Sequence, residues 1–126
     1  MVAKTYGSAV YGVDAKLITV EATISSTVSK IKVHLSGLPD SAVKESAHRI
    51  ESAIKAVCYK MPRQNIIVNL APADIRKEGS AYDLTLAVGI LAASEQINAD
   101  DTDKYVIMGE LSYYYIFICI ICIDLL

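Results

Sequence analysis

Two stretches near the amino end of the chain alternate apolar and polar residues, and each predicts a strand. Within Lys16–Ser25, Ile18, Val20, Ala22 and Ile24 alternate with Thr19, Glu21 and Thr23, the period-two pattern of a half-buried strand. In Lys30–Ser36, Ile31, Val33 and Leu35 face one way and Lys32 and His34 the other. Val2–Val10 supplies a first strand, and Thr27, Ser29 and Lys30 suit a turn. The three strands are expected to pair as an antiparallel meander with one solvated face.

The period then changes. Gly37-Leu38-Pro39 ends the third strand, and Asp40 or Ser41 offers an N-cap oxygen. Val43, Ala47, Ile50, Ile54 and Val57 recur at spacings of 4, 3, 4 and 3, the single apolar stripe of a helix running to Tyr59. Pro62 bars its continuation. Asn65–Ala71 is an apolar run of strand length closed by Pro72, and residues 73–79 are charged and loop-like. Ser80-x-x-Asp83 has the spacing of a capping box, with Asp in place of the usual Glu. The helix predicted after it, to about Gln96, is apolar on most of its circumference and so expected to be buried on most sides. Lys104–Leu111 reads as a further strand. The order β-β-β-α-β-α-β predicts a two-layer α+β domain.

The end of the chain departs from this regularity. Of the 16 residues from Leu111 to Leu126, 14 are apolar. The uninterrupted part, Tyr113–Ile123, is 11 residues long, against about 20 for a membrane-spanning helix. It is also longer than a usual strand and lacks alternation. Tyr, Ile and Phe are encoded by A/T-rich codons. Residues 1–112 are therefore read as the domain, and 113–126 as an aberrant apolar tail, a frameshift or truncation product expected to be exposed and aggregation-prone. Membrane helix and core strand are the rejected readings.

Composition narrows the function classes. The 126 residues carry a net charge of −2 and a pI of about 5.6, which excludes a free-standing basic nucleic-acid-binding domain but not a local basic patch. With 53% hydrophobic and 21% charged residues, disorder is excluded. Met1–Ser8 contains no long apolar run of a signal peptide. Cys58 is the one cysteine outside the tail. A cytoplasmic protein without a disulfide framework and without a membrane partner is expected.

Four motifs in order carry a family signature: G-L-P-D-S-A-V-K-E-S at 37–46, N-L-A-P-A-D-I-R-K-E-G at 69–79, Y-D-L-T-L-A-V-G-I-L-A-A at 82–93 and M-G-E-L-S at 108–112. Together, over about residues 2–112, they resemble the N-terminal domain of the YifB/ComM family of magnesium-chelatase-like AAA+ ATPases. The resemblance implies a Lon-protease-like β3-α-β-α sandwich, shared with a small-subunit ribosomal protein, with a left-handed βαβ crossover where the general rule predicts a right-handed one. It also implies a longer protein, in which an AAA+ module binds ATP and Mg²⁺ and assembles into hexameric rings. ComM-like members are associated with ATP-driven branch migration of DNA in natural transformation. No G-x-x-x-x-G-K-[ST] phosphate loop occurs in this chain, so no cofactor is expected in it.

Three chemistries compete for the remaining residues. A Lon-type Ser/Lys peptidase requires a serine at a helix start and a lysine to take its proton. Alignment on Lys77-Glu78-Gly79 places Ala81 at the nucleophile position and Ser80 one residue early, about 100° away on a helix. No catalytic residue is therefore assigned, and Ser80 is read as an N-cap. His34 and His48 lie on different elements, and Cys119-x-x-Cys122 lacks a second pair, so no metal site is assigned. Arg63, Arg76 and Lys77 flank the strand at 65–71 and are candidates to meet in space and contact phosphate. Asp74, Glu78 and Asp83 lie among them, which favours a solvated, salt-bridged loop. Tyr82 is a candidate interface aromatic or a core residue. The partners expected are further copies in ring assembly, and DNA.

Overall fold

The computed structural model describes residues 2–28, 30, 32–112 and 116–122, with the backbone alone at 11, 28 and 116–122. The strands are β1 (Val2–Tyr11), β2 (Asp14–Val28), β3 (Lys32–Ser36), β4 (Gln64–Ala71), β5 (Tyr105–Leu111) and β6 (Ile116–Cys122). The helices are α1 (Ser41–Lys44), α2 (Ser46–Ala56) and α3 (Asp83–Ala93), and a 3-10 turn spans Thr102–Lys104. Among the described residues β1 to β4 form a mixed sheet in the order β1-β2-β4-β3, and β5 pairs with β6. The class is α+β, as the residue pattern predicts.

The expected meander stops after two strands. β1 and β2 are an antiparallel hairpin, from Val2↔Thr23 to Tyr11↔Asp14. β4 then lies between β2 and β3, antiparallel to β2 and parallel to β3, with Val33 opposite Ile66 and Leu35 opposite Val68. Alternation marks which face of β3 is buried but is silent about which strand lies beside it. β4, with Ile66, Val68 and Leu70 buried on one face, is paired on both edges, by β2 and by β3.

One face of this sheet carries the core. Ile18, Val20, Ala22, Ile66, Val68 and Leu70 are fully buried beneath Ile50 and Ile54 of α2 and Leu86 and Ile90 of α3. Each such side chain contributes about 1.5–3 kcal/mol by leaving water. α3 packs on β1, β2, β5 and α2 at once, which is why nearly its whole surface is apolar. Gly89 faces the sheet, and a Cβ there would make ordinary van der Waals contact with Thr5 Oγ1 at 3.4 Å and Ala22 Cβ at 3.6 Å.

The first predicted helix is two. Glu45 ends α1 and begins α2. Arg49 Nη2 donates to Ala42 O at 2.9 Å, and the Ser46 hydroxyl donates to Val43 O at 2.6 Å. These side chains take carbonyls that the backbone of a continuous helix would use. Both long helices also end earlier than predicted. Cys58 (φ 66°) and Glu95 (φ 60°) take the left-handed conformation. Tyr59 N bonds Ile54 O at 3.0 Å and Gln96 N bonds Leu91 O at 3.0 Å, the Schellman arrangement without its usual glycine.

The predicted capping box at Ser80 is not formed. Tyr82 is the N-cap of α3, without a side-chain cap bond. Ser80 contributes only its carbonyl, to Asp83 N at 3.1 Å. The Asp83 carboxylate is engaged elsewhere, as described below.

Within residues 113–126, read from sequence as an aberrant apolar tail, the backbone forms β6. It pairs antiparallel with β5 from Tyr105↔Cys122 to Leu111↔Ile116. Ladder formation uses backbone N–H and C=O groups, which an unalternating apolar run possesses in full. Residues 113–115 and 123–126, and the side chains of Cys119 and Cys122, lie outside the described residues. No described helix is long and apolar enough to cross a membrane.

Truncating Ile50 or Ile54 to Ala is expected to cost about 2–5 kcal/mol. Lys44→Ala, at an exposed site, is expected to cost less than ~0.5 kcal/mol. Denaturant melts of the three variants check the contrast.

Candidate functional site

The first two motifs meet at one end of the sheet. The β3–α1 turn and the segment after β4 join by backbone bonds, Asp40 N to Lys77 O at 2.9 Å and Lys77 N to Leu38 O at 3.0 Å. The Asp40 carboxylate caps α1 through Val43 N at 2.8 Å and accepts from Gly79 N at 3.1 Å. Lys77 is fully buried, at 0% exposure. Its ammonium donates to the carbonyls of Gly37 (2.6 Å), Leu70 (2.8 Å) and Pro72 (2.5 Å). An ammonium has three protons, and all three are taken. Burial pushes its pKa below the ordinary lysine value, against the opposing charge of Asp74. Gly37 is required here twice: its φ is +98°, and a Cβ would lie 1.9 Å from Leu70 O.

A second polar centre joins the helices. Asp83, at the start of α3, is 1% exposed in its side chain. It receives Arg49 Nε at 2.7 Å and Arg49 Nη2 at 2.9 Å, a bidentate pair, and Leu111 N of β5 at 3.3 Å. The hydrogen bond to Asp83 raises the Arg49 pKa, outweighing burial, which lowers it. The pair thus ties α1, α2, α3 and β5 together. A third contact, Tyr82 Oη to Ser8 O at 3.0 Å, fixes the start of α3 on β1. Burial, with the charges of Asp40 and Glu78, pushes the Tyr82 pKa up to about 12.

Beside Tyr82 and the neighbours of Lys77 lies a cleft of about 550 Å³. Ala9, Ala81, Met108 and the Tyr82 ring line it, and Arg76 and Glu78 carry its charge. Met108 Sδ is itself held, accepting from Ser8 N at 3.4 Å. Arg76 and Glu78 pair at 3.2 Å with both side chains about two-thirds exposed.

The four residues singled out from sequence do not converge as a phosphate-binding patch. Arg63 precedes β4 and Arg76 follows it, so an eight-residue strand separates them, roughly 23 Å at the rise of an extended chain. Lys77 points into the protein with no proton left for a phosphate. Tyr82 is 2% exposed and is a core residue whose ring edges the cleft. Of the four, Arg76 and Tyr82 come together there, and Arg63 stands apart and exposed. Asp40 is the N-cap that the sequence offers, and Asp83 enters there as part of a capping box; their further contacts, and the roles of Arg49 and Met108, are not legible because the partners are distant in sequence. Ala81, at the aligned nucleophile position, presents a methyl group to the cleft.

The family model for subunit ChlI of Mg-chelatase matches residues 20–114. The uncharacterized protein YifB of Escherichia coli is 46% identical over 104 residues, 82% of this chain and 20% of that protein. The competence protein ComM of Haemophilus influenzae is 43% identical over 107 residues, 85% of this chain and 21% of that protein. A Mycobacterium tuberculosis relative is 34% identical over 109 residues. The chain belongs to the magnesium-chelatase-like family of ChlI, within its YifB/ComM group. It spans about a fifth of the length of these relatives.

Removing Asp83 leaves a partly buried guanidinium without its carboxylate, so Asp83→Ala is expected to cost about 3–5 kcal/mol. Breaking the exposed Arg76–Glu78 pair is expected to cost at most ~1 kcal/mol. Denaturant melts measure both.

Tyr82 predicts a loss of stability at alkaline pH. An unfolded tyrosine ionises near pH ~10, whereas folded Tyr82 keeps its proton to about 12. Between these values the unfolded chain binds fewer protons, so stability falls as pH rises. The stability difference between wild type and Tyr82→Phe is expected to be constant below pH ~10 and to shift against wild type from there to about 12. Melts across that window check it.

Proposed function

We propose that this chain is the N-terminal domain of a YifB/ComM-type AAA+ ATPase and acts as a non-catalytic scaffold or substrate-engaging module. The observation that carries this reading is the occupancy of the groups capable of chemistry. The Lys77 ammonium is consumed by carbonyls and the Asp83 carboxylate by Arg49 and Leu111 N, while Ala81 stands where a Lon-type nucleophile belongs. The cleft offers a contact surface of apolar floor and charged rim.

ATP and Mg²⁺ belong, on this reading, to the remaining four-fifths of a protein of the relatives' length. Ring assembly, a cytoplasmic location and action on DNA come with the group, ComM being named a competence protein. A Lon-like sandwich is supported by the parallel pairing of β3 and β4 across the α1–α2 connection. The handedness of that connection is carried over from the resemblance.

The purified chain is expected to show no ATP turnover. In the longer protein, Arg76→Ala with Glu78→Ala is expected to lower substrate-stimulated turnover several-fold while leaving basal turnover unchanged. Salt-dependent binding of DNA by the isolated chain would favour direct DNA contact instead. Labelling by a serine-reactive probe, abolished by Ser80→Ala, would favour a peptidase.

A further inference from the structure

The surroundings of Lys77 are those of a cation site rather than of an ion pair. Three carbonyl oxygens from separate points of the chain converge on one nitrogen at 2.5–2.8 Å, and none of its three bonds goes to a carboxylate. Backbone carbonyls in such convergence are what replaces the hydration shell of K⁺ in protein sites that hold it. An ammonium and K⁺ are nearly equal in radius, whereas Na⁺ is smaller and draws its ligands closer. The fold sets where the three oxygens stand. Leu70 is the penultimate residue of β4, Pro72 lies two residues beyond, and Gly37 is held in a turn that admits no side chain.

From this geometry we infer that the carbonyls of Gly37, Leu70 and Pro72 form a monovalent-cation site of K⁺ and NH₄⁺ size, in which the Lys77 ammonium is the tethered resident ion. The inference is independent of the function proposed above. Its consequence for the molecule is positional. With Lys77 anchored inward, its neighbours Arg76 and Glu78 are both turned outward onto the cleft. The resident ion therefore sets the charged rim. Lys77 is a positioning residue, acting through the segment it ties down.

Lys77→Ala removes the ion and leaves the oxygens. The vacated stem volume admits water, which completes the coordination of a free ion. Wild type, Lys77→Ala and Lys77→Met are compared in KCl, NH₄Cl, NaCl and choline chloride at equal ionic strength. The readouts are the thermal midpoint and the rate of trypsin cleavage after Arg76. Wild type is expected to show the same midpoint and the same resistance in all four salts. Lys77→Ala is expected to melt lower by about 5 °C or more in NaCl and choline chloride. It should recover at least half of that loss in KCl and NH₄Cl, with cleavage slowed several-fold. Lys77→Met, whose side chain fills the space without charge, is expected to be destabilised alike in every salt. If Lys77→Ala does not fold in NaCl, refolding from denaturant in KCl replaces the midpoint: folding in KCl supports the site, and failure in all four salts overturns it. Equal behaviour of Lys77→Ala in KCl and NaCl, or wild-type stability of Lys77→Met, also overturns it.

Discussion

An ammonium withdrawn from water destabilises a fold unless each of its protons is received, because the desolvation of a charge is far larger than the gain from any single hydrogen bond. In this chain that requirement falls on Lys77. It is met by carbonyls at the turn after β3, at the end of β4 and just beyond it. Satisfying one side chain thereby fixes three segments relative to one another. The turn so fixed places Asp40, which begins α1 and holds Gly79. The segment so fixed carries Arg76 and Glu78 to the cleft. The first two sequence motifs are thus two halves of a single polar lock.

The Arg49–Asp83 pair does similar work on the helical side. Its bidentate contact joins α2 to α3, the reach of Arg49 to Ala42 O meets the break in the first helix, and Asp83 Oδ2, which already accepts from Arg49 Nε, also receives the backbone N–H of Leu111 in β5. A buried ion pair is weak evidence for stability by itself, but losing one member leaves an uncompensated charge. In this arrangement one pair contacts α1, α2, α3 and β5 at once. Between the two polar centres the apolar layer of sheet and helices supplies the bulk of the stabilisation.

The cleft follows from both. Its floor is set where Tyr82 and Met108 are held to β1, and its rim where Lys77 is held inside. The chain that carries this cleft spans about a fifth of the length of the relatives it matches. The family match ends at residue 114, close to where the apolar run begins.

Local pattern determined a good deal by itself. Period two located β2 and β3, a helical stripe located the first helical segment, and the apolar circumference of residues 84–91 showed that α3 would be enclosed. These are properties of one segment against one environment, and a segment's own residues record them. Glycine-free helix ends at Cys58 and Glu95 were not legible, since nothing in either residue type announces a left-handed conformation. Nor was the break at Glu45, which depends on Arg49 reaching a carbonyl one helix away. The expected meander failed because alternation states which face is buried and not which strand is adjacent. Above all, the sequence marks Lys77 as a charge in a charged loop. Only the tertiary structure decided that it turns inward, because its three acceptors lie 5, 7 and 40 residues away and exist as a cage solely once β4 has been inserted beside β3.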